Sequence, residues 1–444
     1  MLLKGLVDFI LYFSYSPSKG LVKCSEVEND MDGFFEKHGI QVWMKMWSFI
    51  IVICFCQEIY NSEEFRTSEE SVSKSTLNPE CFLTPSGIIQ YHNYPSEEYQ
   101  VESKDGYLLT IVRIPHGRYN GANKDPRPVV FLQHAAFGDA SHWISNLPNN
   151  SLGFILADAG YDVWLGNSRG NTWSRKHKTL SPKEKKFWEF SFHEMGYYDI
   201  PAILYFILNK TGQQQLYYVG HSEGAASGFV AFSTWPKLAE RVKVFFALSP
   251  ATTITYATSP LLKLSVFPPW MFHVVCGSKG ILLYPTHLRK LLTTLCMYFP
   301  KYCVDMVSFV CGNNMPNLNM SRTDVFIAHS PAGSSVQNTL HWIQIYNTKV
   351  FHAYDYGIKE KNMEKYNQTT PPVYQIEDIK TPVAIWAGGK DLIVQPKDVA
   401  MLRARIKNLI YTDYIPEWEH VDFIWGLDAA KRMYNHMIAI MKKY

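Results

Sequence analysis

Short, almost continuously apolar runs alternate with amphipathic segments along most of the chain. Apolar runs of this length are typical of buried strands, whereas apolar residues spaced three or four positions apart indicate helices. The predicted strands are Tyr107–Ile114, Pro128–Gln133, Asp162–Leu165, Leu216–Val219, Val242–Leu248, Pro382–Ala387 and Leu409–Ile415. The predicted helices are Ser151–Gly160, Ile200–Thr211, Pro396–Ile406 and Leu427–Met441. This alternation predicts an α/β fold with a mostly parallel central sheet that has helices on both faces.

The alternation stops between residues 252 and 375. This stretch is rich in aromatic residues, Met, Cys and Pro, and it contains helix-like pieces such as Leu288–Tyr298 and Val336–Tyr346. Because strands resume afterwards, we interpret residues 252–375 as a cap or lid inserted into the core. Residues 78–251 and 376–444 then form the two parts of that core. The alternative is that the stretch is a second, independent domain.

One pentapeptide, Gly220-His221-Ser222-Glu223-Gly224, separates the strand Leu216–Val219 from a run of small residues that begins at Ala225. A strand, a sharp turn and a helix in this order are typical of a nucleophile elbow, which presents a serine at the apex of the turn. Glycines two residues before and after that serine remove side chains that would clash in so tight a turn. The sequence therefore predicts Ser222 as a nucleophile for attack on a carbonyl.

A second match to the same pattern runs from Gly166 to Gly170 and carries Ser168. It follows the predicted strand Asp162–Leu165, but residues 171–176 are polar and irregular and offer no small helical face. We therefore interpret this match as a polar loop beside the site.

A serine nucleophile needs a base within hydrogen-bonding distance and a carboxylate that orients the base. In this kind of fold the acid and then the histidine follow the serine, on loops at the carboxyl ends of later strands. Asp391 and His420 occupy those places. Asp398 is a rival acid, but the pattern places it on a surface helix, and Asp422 is too close in sequence to His420 to orient it.

Negative charge that develops on the carbonyl oxygen needs fixed N–H donors. We expect one from the backbone of Glu223, at the start of the helix after the elbow, where the helix dipole also helps. The second is expected from Ala136, in the loop after the strand Pro128–Gln133.

Composition restricts the function further. The formal net charge is +3, so nothing points to a nucleic-acid partner. The many aromatic residues suit an apolar ligand site, although an ordinary large core would explain them equally well. Cys296 and Cys303 are close enough to close a small loop and lack the histidine spacing of a zinc site, so we expect no metal and no cofactor.

The N-terminus suggests a secretory route. The apolar run at residues 47–56 is too short to span a bilayer but fits the core of a signal peptide, and Met44, Lys45 and Met46 precede it. We expect a signal peptide at residues 44–60 if translation starts at Met44 or Met46, with residues 1–43 an atypical extension. The mature chain should then have no transmembrane span and be secreted or lysosomal. Four sequons agree with glycosylation, at Asn149, Asn209, Asn319 and Asn367.

Several longer motifs resemble the acid lipase family of α/β-hydrolases, which contains the gastric and lysosomal lipases. The resemblance covers about residues 78–444. Its motifs are residues 95–99 (PSEEY), 151–158 (SLGFILAD), 166–174 (GNSRGNTWS), 330–333 (SPAG) and 420–426 (HVDFIWG).

The resemblance implies hydrolysis of triacylglycerol or steryl esters at an emulsion or membrane interface, favoured by acid pH, with a lid over the site. It implies Ser222, Asp391 and His420 as the catalytic triad. It also implies a disulfide between Cys296 and Cys303, with Cys311 free.

Two departures from the family pattern bear on activity. Ala135 stands where the family has glycine in the oxyanion loop, and a positive φ there would cost alanine about 1 kcal/mol. Glu223 stands where the family usually has glutamine, and an ionised carboxylate near the oxyanion would oppose catalysis. These departures motivate an alternative, a catalytically weakened relative that binds lipid. A hydrolase of small water-soluble esters is a third reading, disfavoured by the long apolar cap.

Overall fold

The computed structural model describes residues 78–122, 125–266 and 268–444. The predicted signal peptide and the extension before it lie outside the described residues. The strands are β1 (Glu97–Glu102), β2 (Tyr107–Ile114), β3 (Val129–Gln133), β4 (Asp162–Leu165), β5 (Lys176–His177), β6 (Leu216–His221), β7 (Val242–Leu248), β8 (Gly280–Ile281), β9 (Ser334–Ser335), β10 (Val383–Gly388) and β11 (Leu409–Ile415).

Nine of these strands form the central sheet, in the order β1-β2-β4-β3-β6-β7-β10-β11, with β5 paired to β2. The strands from β4 to β11 in that order run parallel, whereas β1, β2 and β5 join by antiparallel pairing. The short strands β8 and β9 pair separately. Strand β6 lies near the middle of the sheet, so the loop that follows it opens at the carboxyl edge between β3 and β7.

Helices cover both faces of the sheet. The α-helices are Pro85–Tyr91, Leu152–Asp158, Phe192–Glu194, Ile200–Thr211, Glu223–Thr234, Pro236–Ala239, Pro269–Cys276, Thr286–Tyr298, Pro300–Cys311, Thr323–His329, Val336–Thr348, Lys359–Tyr366, Pro396–Arg405, Asp422–Trp425 and Asn435–Met441. Two π-helical segments, Met195–Asp199 and Ala430–Tyr434, run directly into the helices that follow them.

Two large apolar clusters hold the layers together. One contains Phe131 and Phe245 with the buried residues of helix Glu223–Thr234, and the other contains Phe246 and Trp386 with those of helix Leu152–Asp158. Neighbouring residues of one strand therefore point into different clusters, as the pleat requires. Since both faces are covered, the inner strands are apolar at nearly every position, which is why their sequences predict them well.

The predicted fold class is confirmed, and the predicted strands agree with the observed ones to within two residues at either end. The predicted helix Leu427–Met441 was wrong at its start, because residues 427 and 428 form a turn and the helical segment follows it. The sequence reading also missed β1. Its residues are mostly polar and partly exposed, since it lies at the edge of the sheet.

Between β7 and β10, the described residues contribute no strand to the central sheet. Helices dominate this stretch, and part of it forms a separate small apolar cluster that includes Phe272, Val336 and Leu340. Phe137, from the loop after β3, packs against that cluster. The stretch therefore contacts the carboxyl edge of the sheet, where the loops after β3, β6 and β7 meet.

Candidate active site

The turn after β6 has the geometry of an elbow. Ser222 has φ 54° and ψ −113°, and the helix Glu223–Thr234 begins at the next residue. A side chain at Gly220 would place its Cβ 2.6 Å from Ala225 N, and one at Gly224 would place its Cβ 2.3 Å from Gln133 O. Both glycines are therefore required, because the chain doubles back on itself and packs against the end of β3.

Ser222, His420 and Asp391 form one hydrogen-bonded row. Ser222 Oγ lies 2.9 Å from His420 Nε2, and His420 Nδ1 lies 2.8 Å from Asp391 Oδ2. All three side chains are buried, with Ser222 and His420 each 5% exposed. Residues separated by up to 198 positions in sequence are thus brought into contact by the loops after β6, β10 and β11.

Asp391 is held from two sides. The backbone N–H groups of Ile393 and Val394 both donate to Oδ1 at 2.8 Å. The hydroxyl of Ser249 donates to Oδ2 at 2.5 Å. The sequence analysis did not identify Ser249. It is a polar residue directly after the apolar strand β7, at the same sheet edge as the elbow.

His221, the residue before Ser222, supports the loop that carries His420. Its Nε2 donates to the backbone oxygen of His420 at 2.9 Å, and the two rings are 4.9 Å apart. Burial holds the pKa of His221 well below its ordinary value, so this imidazole is neutral. The centre of the Phe423 ring lies 5.9 Å from the centre of the His221 ring.

The loop after β3 is fixed by neighbouring segments. His134 Nδ1 donates to Ala135 O at 2.7 Å, and its Nε2 accepts from the backbone N–H of Ser168 at 3.0 Å. This arrangement suits a neutral ring, and burial lowers the pKa of His134 accordingly. The N–H of Ala332 donates to Phe137 O at 2.6 Å. Two of the motifs quoted for the family resemblance, residues 166–174 and 330–333, therefore hold the loop that contains Ala136.

The strain anticipated at Ala135 does not arise. The residue of this loop with a positive φ is Phe137, at 59°, whereas Ala135 lies outside the left-handed region. Alanine therefore fits the backbone here. The N–H of Glu223 is at the first position of its helix, where no intrahelical partner exists for it. Both predicted donors lie in segments that meet at the elbow, as the approach of Gly224 to β3 shows.

The Glu223 side chain is buried and turned towards the helix Val336–Thr348. Its Oε2 accepts from Asn338 Nδ2 at 2.7 Å and from Trp342 Nε1 at 2.6 Å. Burial raises the pKa of this carboxyl above its ordinary value, while the two hydrogen bonds work in the other direction. Glu223 thus links the elbow to the stretch predicted to be the cap.

The rival acids make their hydrogen bonds to other residues. Asp398 lies on the helix Pro396–Arg405, as predicted, but its side chain is buried and accepts from the backbone N–H groups of Thr255 and Tyr256. Asp422 accepts from Asn314 and Asn317.

The second G-x-S-x-G match is a polar loop beside the site, as the sequence indicates. Ser168 Oγ accepts from Gln133 Nε2 at 2.9 Å. Arg169 is fully buried between Asp105 and Asp199, with its guanidinium 4.0 Å from the Tyr107 ring centre. Paired buried charges of this kind fix a loop in one conformation.

The remaining predicted sites are the cysteines and the sequons. Cys296 and Cys303 form a disulfide with a Cα–Cα distance of 5.6 Å, between the helices Thr286–Tyr298 and Pro300–Cys311. Cys311 is a free thiol. Three of the four sequon asparagines are exposed, namely Asn149, Asn209 and Asn367. Asn319 is half-buried, and its amide donates to Asn146. Across the described part of the chain, no helix has the length and apolar character needed to cross a bilayer.

The chain matches known families over most of its length. Residues 85–147 match the partial alpha/beta-hydrolase lipase region, and residues 128–427 match the alpha/beta hydrolase fold. Lysosomal acid lipase/cholesteryl ester hydrolase of Homo sapiens is 52% identical over 380 residues, covering 85% of this chain and 95% of that protein. Lipase member N of Mus musculus is 50% identical over 401 residues, covering 90% and 99%. Lipase member M of Homo sapiens is 49% identical over 402 residues, covering 90% and 93%. The chain therefore belongs to the acid lipase family of the α/β-hydrolase fold, a family of carboxylic ester hydrolases.

Proposed function

We propose that the protein is a serine lipase that hydrolyses lipid esters, triacylglycerols or steryl esters, through an acyl-enzyme. The observation that carries the proposal is the row in which Ser222 Oγ meets His420 Nε2 at 2.9 Å and His420 Nδ1 meets Asp391 at 2.8 Å. A hydroxyl, a base and an orienting carboxylate in this order are what nucleophilic attack on an ester carbonyl requires.

In the proposed reaction Ser222 Oγ attacks the ester carbonyl while His420 Nε2 takes its proton. The tetrahedral intermediate collapses when His420 returns that proton to the leaving alcohol, which breaks the ester C–O bond. Water then attacks the acyl-enzyme with His420 again as base, and the fatty acid and free Ser222 are released. Asp391 holds the ring and stabilises its positive charge in both halves.

The oxyanion of the intermediate would be held by the backbone N–H groups of Ala136 and Glu223. Fixed donors lower the barrier because they need no reorganisation when the charge develops. The bonds from His134 to Ala135 and from Ala332 to Phe137 fix the loop on both sides of Ala136. The absence of backbone strain at Ala135 removes one of the two reasons for proposing a weakened lipid-binding relative.

Lipid esters are the proposed substrates for two reasons. The relatives include a protein named as a lipase and cholesteryl ester hydrolase. The stretch between β7 and β10 also exposes large apolar side chains, among them Trp270 (63%), Val274 (74%) and Tyr302 (69%). Exposed apolar groups of this size suit a lipid or emulsion surface.

A panel of triacylglycerol, steryl and short-chain esters, assayed between pH 4 and pH 8 with and without an emulsion interface, tests this function. We expect turnover of the long-chain lipid esters with an optimum in acid. Preference for short soluble esters, independent of an interface, would instead indicate a hydrolase of small water-soluble esters. Absence of both turnover and labelling of Ser222 by a fluorophosphonate probe would favour the lipid-binding alternative.

We further propose entry into the secretory pathway, with a secreted or lysosomal destination. The signal-like segment after Met44 and the exposed sequon residues Asn149, Asn209 and Asn367 support this location. N-terminal sequencing of the protein from a eukaryotic host should give a mature chain that starts near residue 60, and a chain that retains residues 1–43 would contradict it.

Replacement of Glu223 by glutamine should broaden the pH profile towards neutral pH. Burial raises the pKa of Glu223, so the carboxyl is neutral in acid and ionises as the pH rises. An ionised carboxylate on the residue whose backbone N–H is the proposed oxyanion donor opposes the reaction. Glutamine stays neutral and its oxygen can still accept from Asn338 and Trp342. We therefore expect Glu223→Gln to retain a larger fraction of its maximal kcat at pH 7 than the parent enzyme.

The matched control is Glu194→Gln, since Glu194 is also a buried glutamate but caps a different segment, where it accepts from Ser191. This variant should keep the parent pH profile. A Glu223→Gln enzyme whose profile superimposes on that of the parent would show that the carboxylate does not affect the oxyanion.

A further inference from the structure

We propose that Ser249 is a positioning residue that shares the carboxylate of Asp391 with His420 and thereby keeps His420 available as a base in acid. This inference rests on the proposed triad and goes one step beyond it. The hydroxyl of Ser249 lies 2.5 Å from Asp391 Oδ2, the same oxygen that His420 Nδ1 contacts at 2.8 Å.

The fold places this hydroxyl with little freedom. Ser249 follows β7 directly and is 1% exposed. Its own N–H donates to Trp386 O of β10 at 2.9 Å, and the N–H of Ser222 donates to Leu248 O at 3.0 Å. Two consecutive residues at the end of β7 therefore act on the proposed triad. Leu248 fixes the backbone of Ser222, and Ser249 places its hydroxyl on Asp391.

The backbone of Ser249 is unusual for a residue that only fills space. Its φ is 42°, a region that L-residues with a side chain seldom adopt. Such conformations are strained and persist where the surrounding structure requires them, often at functional sites. Here the conformation aims the hydroxyl at the acid. A glycine would adopt this φ more easily but would lose the contact.

The chemistry follows from the sharing of one oxygen. Ser249 Oγ donates to Asp391 Oδ2 and also lies 3.2 Å from His420 Nδ1. The ring N–H of His420 can therefore donate a bifurcated hydrogen bond, to Asp391 Oδ2 and to Ser249 Oγ. A neutral donor on Oδ2 disperses negative charge that would otherwise face His420. A more concentrated charge stabilises the protonated ring, and a protonated ring cannot take the proton of Ser222. The hydroxyl thus favours the neutral, working form of the base.

The titratable groups packed around the pair do not supply this effect. Burial holds the pKa of His221 well below its ordinary value and that of His142 at about 3, so both rings are neutral. Burial raises the pKa of Glu419 and of the Cys311 thiol well above their ordinary values, so both stay protonated in acid. Asp398 is also near, with a raised pKa, and its hydrogen bonds go to other residues.

Replacement of Ser249 by alanine should move the acid limb of the kcat/KM profile to higher pH by about 0.5 to 1 pH unit. Well below that limb, activity relative to each enzyme's own maximum should fall about three- to tenfold. The limb is measured with one soluble ester between pH 3 and pH 8, and the folded fraction is checked by thermal denaturation. A purely structural role would change stability and leave the limb in place.

Two further variants complete the test. Ser249→Gly also removes the hydroxyl but relieves the backbone, so it should fold well and show the same shift. Thr253→Val is the matched control, because it removes a buried hydroxyl that donates to the other carboxylate, Asp398, at 3.3 Å. It should keep the parent limb.

The outcomes distinguish this inference from the proposed function. If the parent enzyme hydrolyses no ester and Ser222 is not labelled, the proposed triad is wrong. If the parent enzyme is active and depends on Ser222, but Ser249→Ala and Ser249→Gly keep the parent limb, the triad stands and the role proposed for Ser249 is wrong.

Discussion

Replacement of Ser222 by alanine should lower kcat for lipid esters by about 10⁴-fold or more and abolish labelling by a fluorophosphonate. The variant removes the oxygen that faces His420 Nε2 at 2.9 Å, and with it the atom that would form the acyl-enzyme. The fold should survive, because the Ser222 side chain makes no capping hydrogen bond to its helix. Substrate turnover, mass spectrometry of the labelled protein and the thermal midpoint are the three measurements.

The chain provides its own control in the second G-x-S-x-G match. Ser168→Ala removes a hydroxyl that accepts from Gln133, but leaves the backbone N–H that holds His134. Its kcat should stay within a few-fold of the parent value. Equal losses in the two variants, or a label on Ser168 rather than Ser222, would contradict the assignment of the nucleophile.

The central sheet was predictable because its strands are buried on both faces. The continuous apolar run of the inner strand β7 leaves few alternatives for its length, and its predicted bounds agree with the structure. The edge strand β1 was missed for the opposite reason. Its sequence, EEYQVE, buries one residue and exposes charged ones, so local pattern does not separate it from a loop.

The order of the predicted strands and the residues that follow them were enough to select the acid and the base of the candidate site. Asp391 and His420 were selected because they follow late strands at one sheet edge, and the structure places both in the row with Ser222. Ser249 was missed because an isolated serine after a strand carries no pattern. Its significance depends on the distance between the ends of β7 and β10, which the sheet order sets.

Contacts between segments that are distant in sequence were the hardest to anticipate. The sequence identified Glu223 as unusual but gave no partner for its carboxylate, and the partners Asn338 and Trp342 come more than 100 residues later. Similarly, the anticipated strain at Ala135 depends on a backbone angle that sequence does not give. In the structure Phe137 takes the positive φ in that loop.

The second large effect is expected from Asp391→Asn, which should lower kcat by about 10⁴-fold with little change in KM. Asparagine can use its oxygen to accept from the N–H groups of Ile393 and Val394, as Asp391 Oδ1 does. Its NH₂ group then faces His420 Nδ1. His420 Nδ1 must then act as an acceptor, so the ring proton moves to His420 Nε2. With that proton in place, Nε2 can no longer accept the proton of Ser222. Steady-state kinetics at the acid optimum measure the loss.

Asp398→Asn is the matched control, since Asp398 is the rival acid that follows β10 in the sequence. Its two oxygens accept from the backbone N–H groups of Thr255 and Tyr256. Asparagine can replace one of those acceptors, so the free energy of unfolding should fall by about 1–3 kcal/mol. Its kcat should remain within a few-fold of the parent value, because no contact joins it to His420. A loss in Asp398→Asn as large as that in Asp391→Asn would make Asp398 the orienting acid and contradict the proposed triad.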